Sequence, residues 1–259
     1  MAGILFNKII FGPVNSRRLG KSLGINLLPE EIKLCSMNCI YCECGWAKTD
    51  DILYSKLLSA NEIISVLAER FQQMHRDNIH IDSITYSGNG EPTLHPQFEE
   101  ITQEIIRLRN IYFPKTIITC LSNSTQLYRE DVLNALMSID NPLMKLDAGT
   151  QETFVQINKP FSPLTLDDIC DSLCRFNGKL SIQTLFLKGK LDEGTHIDNT
   201  TDKEVEAWIE RLQYINPQKV ILYPIDRETP AKQLIQISKE ELGKISQKIE
   251  QIGIKAEVY

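Results

Sequence analysis

The chain has 259 residues with 28 basic and 34 acidic side chains, so its formal net charge is −6. That length suits one large domain or two small ones, and 42% hydrophobic with 24% charged residues is typical of a globular protein. Seven cysteines are too few for a disulfide scaffold, and no apolar run reaches the roughly 18 residues of a membrane span. We expect one domain over residues 1–259 in the reducing cytoplasm, with no signal peptide and no membrane contact.

Strand-like and helix-like segments alternate along the chain. Ser59, Thr201 and Ser238 are each followed three residues later by a glutamate, which is the pattern of a capping box at a helix start. The predicted strands cover 22–28, 79–86, 116–121, 142–147, 179–187 and 219–223. The predicted helices start at Ser59, cover 97–109, 128–138 and 165–176, and then run from Thr201 to about 214 and from Ser238 to about 251.

Six strands alternating with helices predict an α/β fold with a parallel sheet and right-handed crossovers. Too few strands are visible for a closed eight-fold barrel at this length. We therefore predict a partial (β/α)6 barrel that is similar to an open TIM barrel, with residues 1–20 packed on it. In such folds the chemistry lies at the carboxyl ends of the strands.

A cysteine motif follows the first predicted strand. Residues 35–42 read CSMNCIYC, which brings Cys35, Cys39 and Cys42 into one short loop. Soft thiolates select zinc or iron–sulfur clusters. A structural zinc site requires four ligands, and no second cysteine pair lies at zinc-knuckle spacing. Three thiolates fit a 4Fe–4S cluster with one open iron better. Zinc binding and unligated thiols are the competing interpretations.

This motif resembles that of the radical S-adenosylmethionine (radical SAM) superfamily, which has Cys-x3-Cys-x-aromatic-Cys with Tyr41 at the aromatic position. The flanking FGPVNSRRLGKSLGINLLP is similar to one branch, the single-domain iron–sulfur oxidoreductases related to wyosine (wybutosine) biosynthesis enzymes. The resemblance runs from about Phe11 to about residue 242. It implies that SAM binds the open iron and that an electron from a flavodoxin-like or ferredoxin-like donor cleaves it. The products are methionine and a 5′-deoxyadenosyl radical, which abstracts hydrogen from a substrate.

The resemblance also implies which loops hold SAM. The segment after the second strand is similar to the glycine-rich motif that binds the amino group of SAM, and the segment after the third is similar to a ribose contact. Residues beyond the fourth and sixth strands resemble further contacts to SAM. A plain turn or polar loop is the competing interpretation at each position. The residues assigned to SAM in this way are Tyr41, Gly88, Asn89, Gly90, Glu91, Ser122, Asn123, Asp147 and Ile225.

Further charged and polar residues are candidates for catalysis or substrate binding. Lys145 and Asp147 form a charged pair at the end of a predicted strand, so both are candidate catalytic residues. Adjacent arginines can bind a carboxylate or phosphate in a forked geometry, although most such pairs form surface salt bridges. The predicted substrate-binding residues are Arg17, Arg18, Gln183 and Arg227.

The substrate class is left open as a small molecule, a nucleotide or a protein. A tRNA substrate of the wyosine type is not favoured, because the acidic chain is poorly suited to phosphate neutralisation. An activase that places a radical on a partner protein and a non-catalytic iron–sulfur or zinc-binding protein are also compatible with the motif. Cys44, Cys120, Cys170 and Cys174 are scattered, and we predict no role for them.

Overall fold

The computed structural model describes residues 4–48, 56–191 and 194–259. The strands are β1 (Ile10–Ser16), β2 (Gly20–Ile25), β3 (Ser83–Tyr86), β4 (Ile117–Ser122), β5 (Asn141–Lys145), β6 (Ser181–Leu185), β7 (Leu187–Lys190), β8 (His196–Asp198), β9 (Lys219–Tyr223), β10 (Gln233–Gln236) and β11 (Lys255–Val258). Eight of them form a central sheet with the strand order β1-β2-β3-β4-β5-β6-β9-β11, and β10, β7 and β8 form a separate three-stranded antiparallel sheet.

The six predicted strands are β2, β3, β4, β5, β6 and β9, and they lie side by side in parallel. The α/β class with a mostly parallel sheet is thereby confirmed. The strand number needs correction, because the central sheet has eight strands and not six. β11 extends the parallel array beyond β9, and β1 pairs antiparallel with β2 at the opposite edge.

Helices cover the sheet, and six of those in the described ranges correspond to predicted helices. The exception is α4, a short helix that the sequence pattern does not predict. No helix among the described residues is long and apolar enough to span a membrane. The helices are α1 (Ala60–Arg76), α2 (Phe98–Tyr112), α3 (Glu130–Met137), α4 (Gln151–Asn158), α5 (Leu166–Cys174), α6 (Asp202–Ile215) and α7 (Lys239–Gln251).

The capping boxes at Ser59 and Ser238 are both present. At α6 only half of the predicted box forms, because Thr201 accepts a hydrogen bond from the Glu204 amide at 3.3 Å but the Glu204 carboxylate turns elsewhere. It accepts from the amides of Gly149 and Thr150 at 2.6 and 3.0 Å. Glu204 therefore ties the start of α6 to the loop before α4, next to the carboxyl end of β5.

The two faces of the sheet differ in polarity. One face packs on the helices, where Tyr86 of β3 contacts Phe98 and donates to Thr102 of α2. The alternate residues of the strands point to the opposite face, since successive side chains alternate. There, hydroxyl and amide groups hydrogen-bond to one another across five neighbouring strands at 2.8–3.4 Å. The partly buried residue is Asn141, and the buried ones are Ser22, Ser83, Thr85, Thr119 and Ser181.

Candidate active site at the carboxyl ends of the strands

The three predicted cysteine ligands lie in the loop that follows β2. Cys35 and Cys39 are buried and Cys42 is partly exposed. Burial raises the pKa of both Cys35 and Cys39. A hydrogen bond from the Cys44 thiol lowers the pKa of Cys42, with help from the Lys33 ammonium and against the effect of burial. A lowered pKa favours the thiolate, which is the form that binds metal.

Backbone hydrogen bonds hold this loop to three other segments. Ile40 donates its amide to the carbonyl of Ile157 at the end of α4, at 3.0 Å. The Ile40 carbonyl accepts from Ala231, in the segment after β9, at 3.1 Å. Phe161 donates to the carbonyl of Ser36 at 3.1 Å. The loop is thus fixed by segments distant in the chain, which supports a rigid arrangement of its thiols.

The glycine-rich segment after β3 lies directly against the start of the cysteine loop. Leu34 donates to the carbonyl of Asn89 at 2.8 Å, and the Leu34 carbonyl accepts from Glu91 at 3.0 Å. Gly90 lies between these two bonds with φ +139°, and a Cβ atom there would lie 1.7 Å from the Leu34 carbonyl oxygen. The close approach therefore requires glycine at position 90.

The Glu91 side chain joins this segment to the loop after β4. Its buried carboxylate accepts from Ser122 Oγ at 2.9 Å and from the Asn123 amide at 2.6 Å. It also accepts from the amide and hydroxyl of Thr93, at 3.1 and 2.5 Å. Burial raises the pKa of Glu91, although these four donors oppose the shift. The carboxylate thus links the two loops that are predicted to hold SAM by hydrogen bonds.

The Asn89 side chain is also occupied by protein contacts. It accepts from the Phe6 amide at 2.7 Å and donates to the Phe6 carbonyl at 2.8 Å. It donates to the carbonyls of Pro29 and Glu30 as well, at 2.8 and 3.2 Å. Any contact of this position with a cofactor would therefore use its backbone.

Two asparagine amides point at the cysteine sulfurs. Asn123 donates to Cys35 Sγ at 3.5 Å, and Asn158, the last residue of α4, donates to Cys39 Sγ at 3.4 Å. The Oδ1 atom of Asn158 is buried and has no hydrogen-bond partner among the described residues. A narrow cavity lined in part by Asn123, Asn158 and Lys145 adjoins it. Asn158 carries no signal in the sequence, because nothing local marks α4 as part of the site.

Lys145 and Asp147 lie together at the end of β5, as predicted for this strand end. Their side chains form an ion pair at 3.3 Å, and Asp147 accepts hydrogen bonds from the Tyr41 hydroxyl and from Asn158. Lys145 Nζ lies 2.5 Å from the Tyr223 hydroxyl. Burial lowers the pKa of Lys145, but Asp147 and Tyr223 outweigh it and hold the pKa above its usual value. Lys145 is therefore a protonated cation at neutral pH.

Arg18 reaches this group from the turn between β1 and β2. Its guanidinium lies over the Tyr223 ring at 4.6 Å and donates to Gln183 Oε1 at 3.2 Å. Arg18, Gln183, Lys145 and Tyr223 thus form a connected polar row, which meets the cysteine loop where Lys145 lies over the Tyr41 ring.

Arg17 and Arg227 point elsewhere. Arg17 pairs with Asp226 at 2.7 Å and Arg227 pairs with Glu43 at 2.6 Å, and both pairs are exposed. Exposed pairs of this kind contribute about 0–1 kcal/mol. Ile225 is partly buried and packs against the core beside these residues. A role of the two arginines in substrate binding remains a prediction.

Lys33 is a second site residue that the motif itself does not include. It is buried, with 3% of its surface exposed, and its Nζ donates to the Gly45 carbonyl at 2.8 Å. Burial lowers its pKa, but the charges of Cys42, Cys35 and Cys39 outweigh burial and raise it. Its position two residues before the first cysteine is a usable signal in the sequence.

The donor set fits an iron–sulfur cluster. Among the described residues no three His, Cys, Asp or Glu side chains lie close enough together to bind a single metal ion. A cubane cluster sets a different requirement, because each thiolate binds a different iron atom. A buried ammonium is costly without an anionic partner. Lys33 lines one cavity with Cys42, and its charge interacts with all three cysteines. Its burial at this position suits an anionic group held by Cys35, Cys39 and Cys42.

The remaining cysteines do not gather around a second centre. Cys44 Sγ lies 3.3 Å from the Gly88 carbonyl oxygen, and Cys120 is fully buried in β4. Cys170 lies against Arg211 on α6, and Cys174 is near the carbonyl of Tyr214.

Comparison with known proteins identifies the class that this fold and site define. The family model described as "Radical SAM superfamily" matches residues 32–212. The chain belongs to the radical SAM superfamily. Members use a 4Fe–4S cluster and SAM, and they need a reductant and a substrate.

Among curated relatives, the chain is 35% identical over 243 residues to a "UPF0026 protein" of Helicobacter pylori, covering 92% of this chain and 72% of that protein. It is 32% identical over 244 residues to a protein of Brachyspira hyodysenteriae named "GTPase Obg". That match covers 93% of this chain but only 33% of the Brachyspira protein. The chain thus spans about a third of that relative, whose name describes the longer protein.

Solved structures share the fold. A radical SAM methyltransferase from Sphaerobacter thermophilus has a TM-score of 0.65 at 16% identity, over 92% of this chain and 65% of that one. A structure described as TYW1 with a lysine–pyruvate adduct bound has a TM-score of 0.59 at 15% identity, over 89% of this chain and 73% of that one. Likeness at this level of identity shows a common fold.

Proposed function

We propose that this chain is a radical SAM oxidoreductase that holds a 4Fe–4S cluster through Cys35, Cys39 and Cys42. The observation that carries the proposal is the position of these three cysteines in one loop at the carboxyl ends of the strands, where Asn123 and Asn158 donate to two of the sulfurs and Lys33 is buried. Together the cluster and SAM supply a 5′-deoxyadenosyl radical, which abstracts hydrogen from a substrate. The protein supplies binding, orientation and exclusion of water.

The loops around the cysteines provide a SAM site. Gly88 and Gly90 bring backbone groups close to the cysteine loop, and the Glu91 carboxylate fixes that backbone to Ser122 and Asn123. Tyr41, Asp147 and Ile225 complete the proposed set. Tyr41 donates to Asp147 and so orients its carboxylate towards Asn158 and Lys145. In this arrangement Glu91 acts by positioning the two loops, and backbone amides and carbonyls provide most contacts to SAM.

The row of Arg18, Gln183, Lys145 and Tyr223 is the proposed substrate side of the site. Lys145 Nζ donates to the Tyr223 hydroxyl at 2.5 Å and remains a cation, so it can donate a hydrogen bond to an anionic substrate oxygen. Arg18 offers a planar guanidinium that matches a carboxylate or phosphate. These features favour a small molecule or nucleotide that bears an anionic group. The electron comes from an external flavodoxin-like or ferredoxin-like donor.

Membership of the wyosine-related branch is a second proposal, supported by the fold shared with TYW1 at a TM-score of 0.59. The net charge of −6 weighs against tRNA as the substrate, because tRNA binding depends on phosphate neutralisation. Activation of a partner protein is a third candidate within the superfamily.

Deuterium transfer tests the proposal and identifies the substrate class. The reconstituted, reduced protein is incubated with SAM and, separately, with a deuterated small-molecule extract, deuterated tRNA and deuterated protein. We expect deuterium in 5′-deoxyadenosine from the small-molecule pool. Deuterium from the tRNA pool would favour the wyosine-type reaction, and deuterium from the protein pool would favour an activase. Formation of 5′-deoxyadenosine without deuterium from any pool would contradict hydrogen abstraction from these classes.

A further inference from the structure

The hydrogen-bond donors around the three cysteines differ in charge. Cys35 faces the neutral amide of Asn123, at 3.5 Å, and Cys39 faces the neutral amide of Asn158, at 3.4 Å. Cys42 instead lines one cavity together with Lys33 and Cys44, and the charge that acts on it there is that of the Lys33 ammonium. Among the described residues, Lys33 is the cation that interacts with all three sulfurs.

Lys33 is fixed in this place by the loop itself. Its Nζ donates to the Gly45 carbonyl at 2.8 Å, and 3% of the residue is exposed. Carboxylates in the described ranges form no ion pair with it, and the charges that act on it are those of Cys42, Cys35 and Cys39. Solvent therefore screens this cation weakly. Its main electrostatic partner is the group that Cys35, Cys39 and Cys42 bind.

A cluster held by three thiolates gains one negative charge when it is reduced. A fixed cation nearby stabilises the reduced state more than the oxidised state, because the attraction grows with the charge of the cluster. The reduction potential of iron–sulfur clusters responds to net charge and to hydrogen bonds at the sulfurs. A buried ammonium beside Cys42 supplies both.

We propose that Lys33 is a positioning residue that raises the reduction potential of the cluster, so that an external donor can reduce it. This inference rests on the proposed function, because it requires a cluster at Cys35, Cys39 and Cys42. It assigns Lys33 a role in electron entry that is separate from binding SAM or substrate.

The test compares midpoint potentials of reconstituted holoproteins by redox titration followed with electron paramagnetic resonance. Lys33→Met removes the charge at similar length, and Lys33→Gln removes the charge but keeps a donor for Gly45. In both variants we expect the equilibrium to shift about tenfold or more towards the oxidised cluster, which is about 59 mV for one electron. Lys33→Arg keeps the charge and should restore most of the potential. Lys48→Met removes an exposed charge from the same loop and should leave the potential unchanged.

Iron content and cluster absorbance are measured first on every protein. Wild-type protein that binds no iron would contradict the proposed function, and the inference with it. Wild-type protein with a cluster, and variants with the same iron content and potential, would overturn the inference alone. If Lys33→Met and Lys33→Gln both lose iron, Lys33 serves assembly of the loop, and a role in setting the potential is overturned.

Discussion

The Glu91 carboxylate accepts four hydrogen bonds from Thr93, Ser122 and Asn123 while it is buried. Glu91→Ala removes the acceptor and leaves these donors unsatisfied, which costs about 1–3 kcal/mol for each buried group that finds no partner. We expect the free energy of unfolding, measured by urea denaturation of the metal-free protein, to fall by about 3 kcal/mol. SAM affinity should fall as well, because the loops that Glu91 joins would separate.

Glu30→Ala is the matched control, since the Glu30 side chain is exposed. Its free energy of unfolding should stay within about 0.5 kcal/mol of the wild type. A Glu91→Ala protein with wild-type stability but weakened SAM binding would show that this carboxylate contacts the cofactor directly and does not act by linking the two loops.

Lys145 provides a test of the wyosine-type reaction. A lysine that forms a Schiff base must first lose its proton. Asp147 and Tyr223 outweigh burial and hold the pKa of Lys145 above its usual value, so the free amine is scarce near neutral pH. We predict that incubation with pyruvate and borohydride leaves the peptide containing Lys145 without added mass in mass spectrometry. An adduct that is present in the wild type and lost in Lys145→Met would contradict this prediction.

At the scale of elements, the glycine-rich segment after β3 leaves no room for a side chain at Gly90. Gly90→Ala would place Cβ 1.7 Å from the Leu34 carbonyl at a φ of +139°. Backbone strain and overpacking each cost about 1–3 kcal/mol, so we expect a loss of about 3 kcal/mol or more in the free energy of unfolding, together with weaker iron retention.

Gly243→Ala is the control for this change. Gly243 lies in α7, where a Cβ atom would have no neighbour within 4 Å. Alanine in a helix interior should stabilise the protein by about 0.5–1 kcal/mol relative to glycine. Equal stability of the Gly90→Ala protein and the wild type would show that the two loops do not depend on this contact.

Helices and strands are predicted well from the sequence where their hydrophobic patterns are long and regular. The six β-branched or apolar segments are recognisable as strands because each is a compact run between turn signals. β1 escapes prediction because IFGPVNS contains a glycine and a proline, which weaken a strand pattern. β11 has four residues with Lys255 and Glu257 among them, and its strand form depends on pairing with β9. α4 is as short as α3, but only three of its eight residues are apolar against five in α3, so its helical period is weaker.

At the scale of the whole molecule, the parallel topology explains how much of the site could be predicted. Carboxyl ends of parallel strands meet at one edge, so residues after β3, β4 and β5 are expected near the cysteine loop. The structure brings Glu91, Asn123 and Asp147 there. Asn158 could not be assigned, because its role depends on a contact between distant segments. Lys33 could have been assigned, because it lies in the cysteine loop two residues before Cys35. The sequence around Arg17 likewise could not show its pairing with a residue beyond β9 at the surface.

If Cys35, Cys39 and Cys42 are the cluster ligands, replacing one of them should affect the cluster, and replacing a cysteine outside the motif should not. Cys39→Ala should prevent stable assembly of the cluster, so iron content and charge-transfer absorbance should be lost after anaerobic reconstitution. Cys120→Ala changes an equally buried cysteine, in β4, and should leave both unchanged. Full iron content in Cys39→Ala would show that the ligand set is wrong.

The central claim is that this chain uses its cysteine loop for reductive cleavage of SAM. The most direct measurement is the amount of 5′-deoxyadenosine that forms when the anaerobically reconstituted, reduced protein is mixed with SAM. We predict turnover to 5′-deoxyadenosine and methionine by the wild type and none by Cys39→Ala. Wild-type protein with a full complement of iron and a reduced cluster, but without 5′-deoxyadenosine, would contradict the claim.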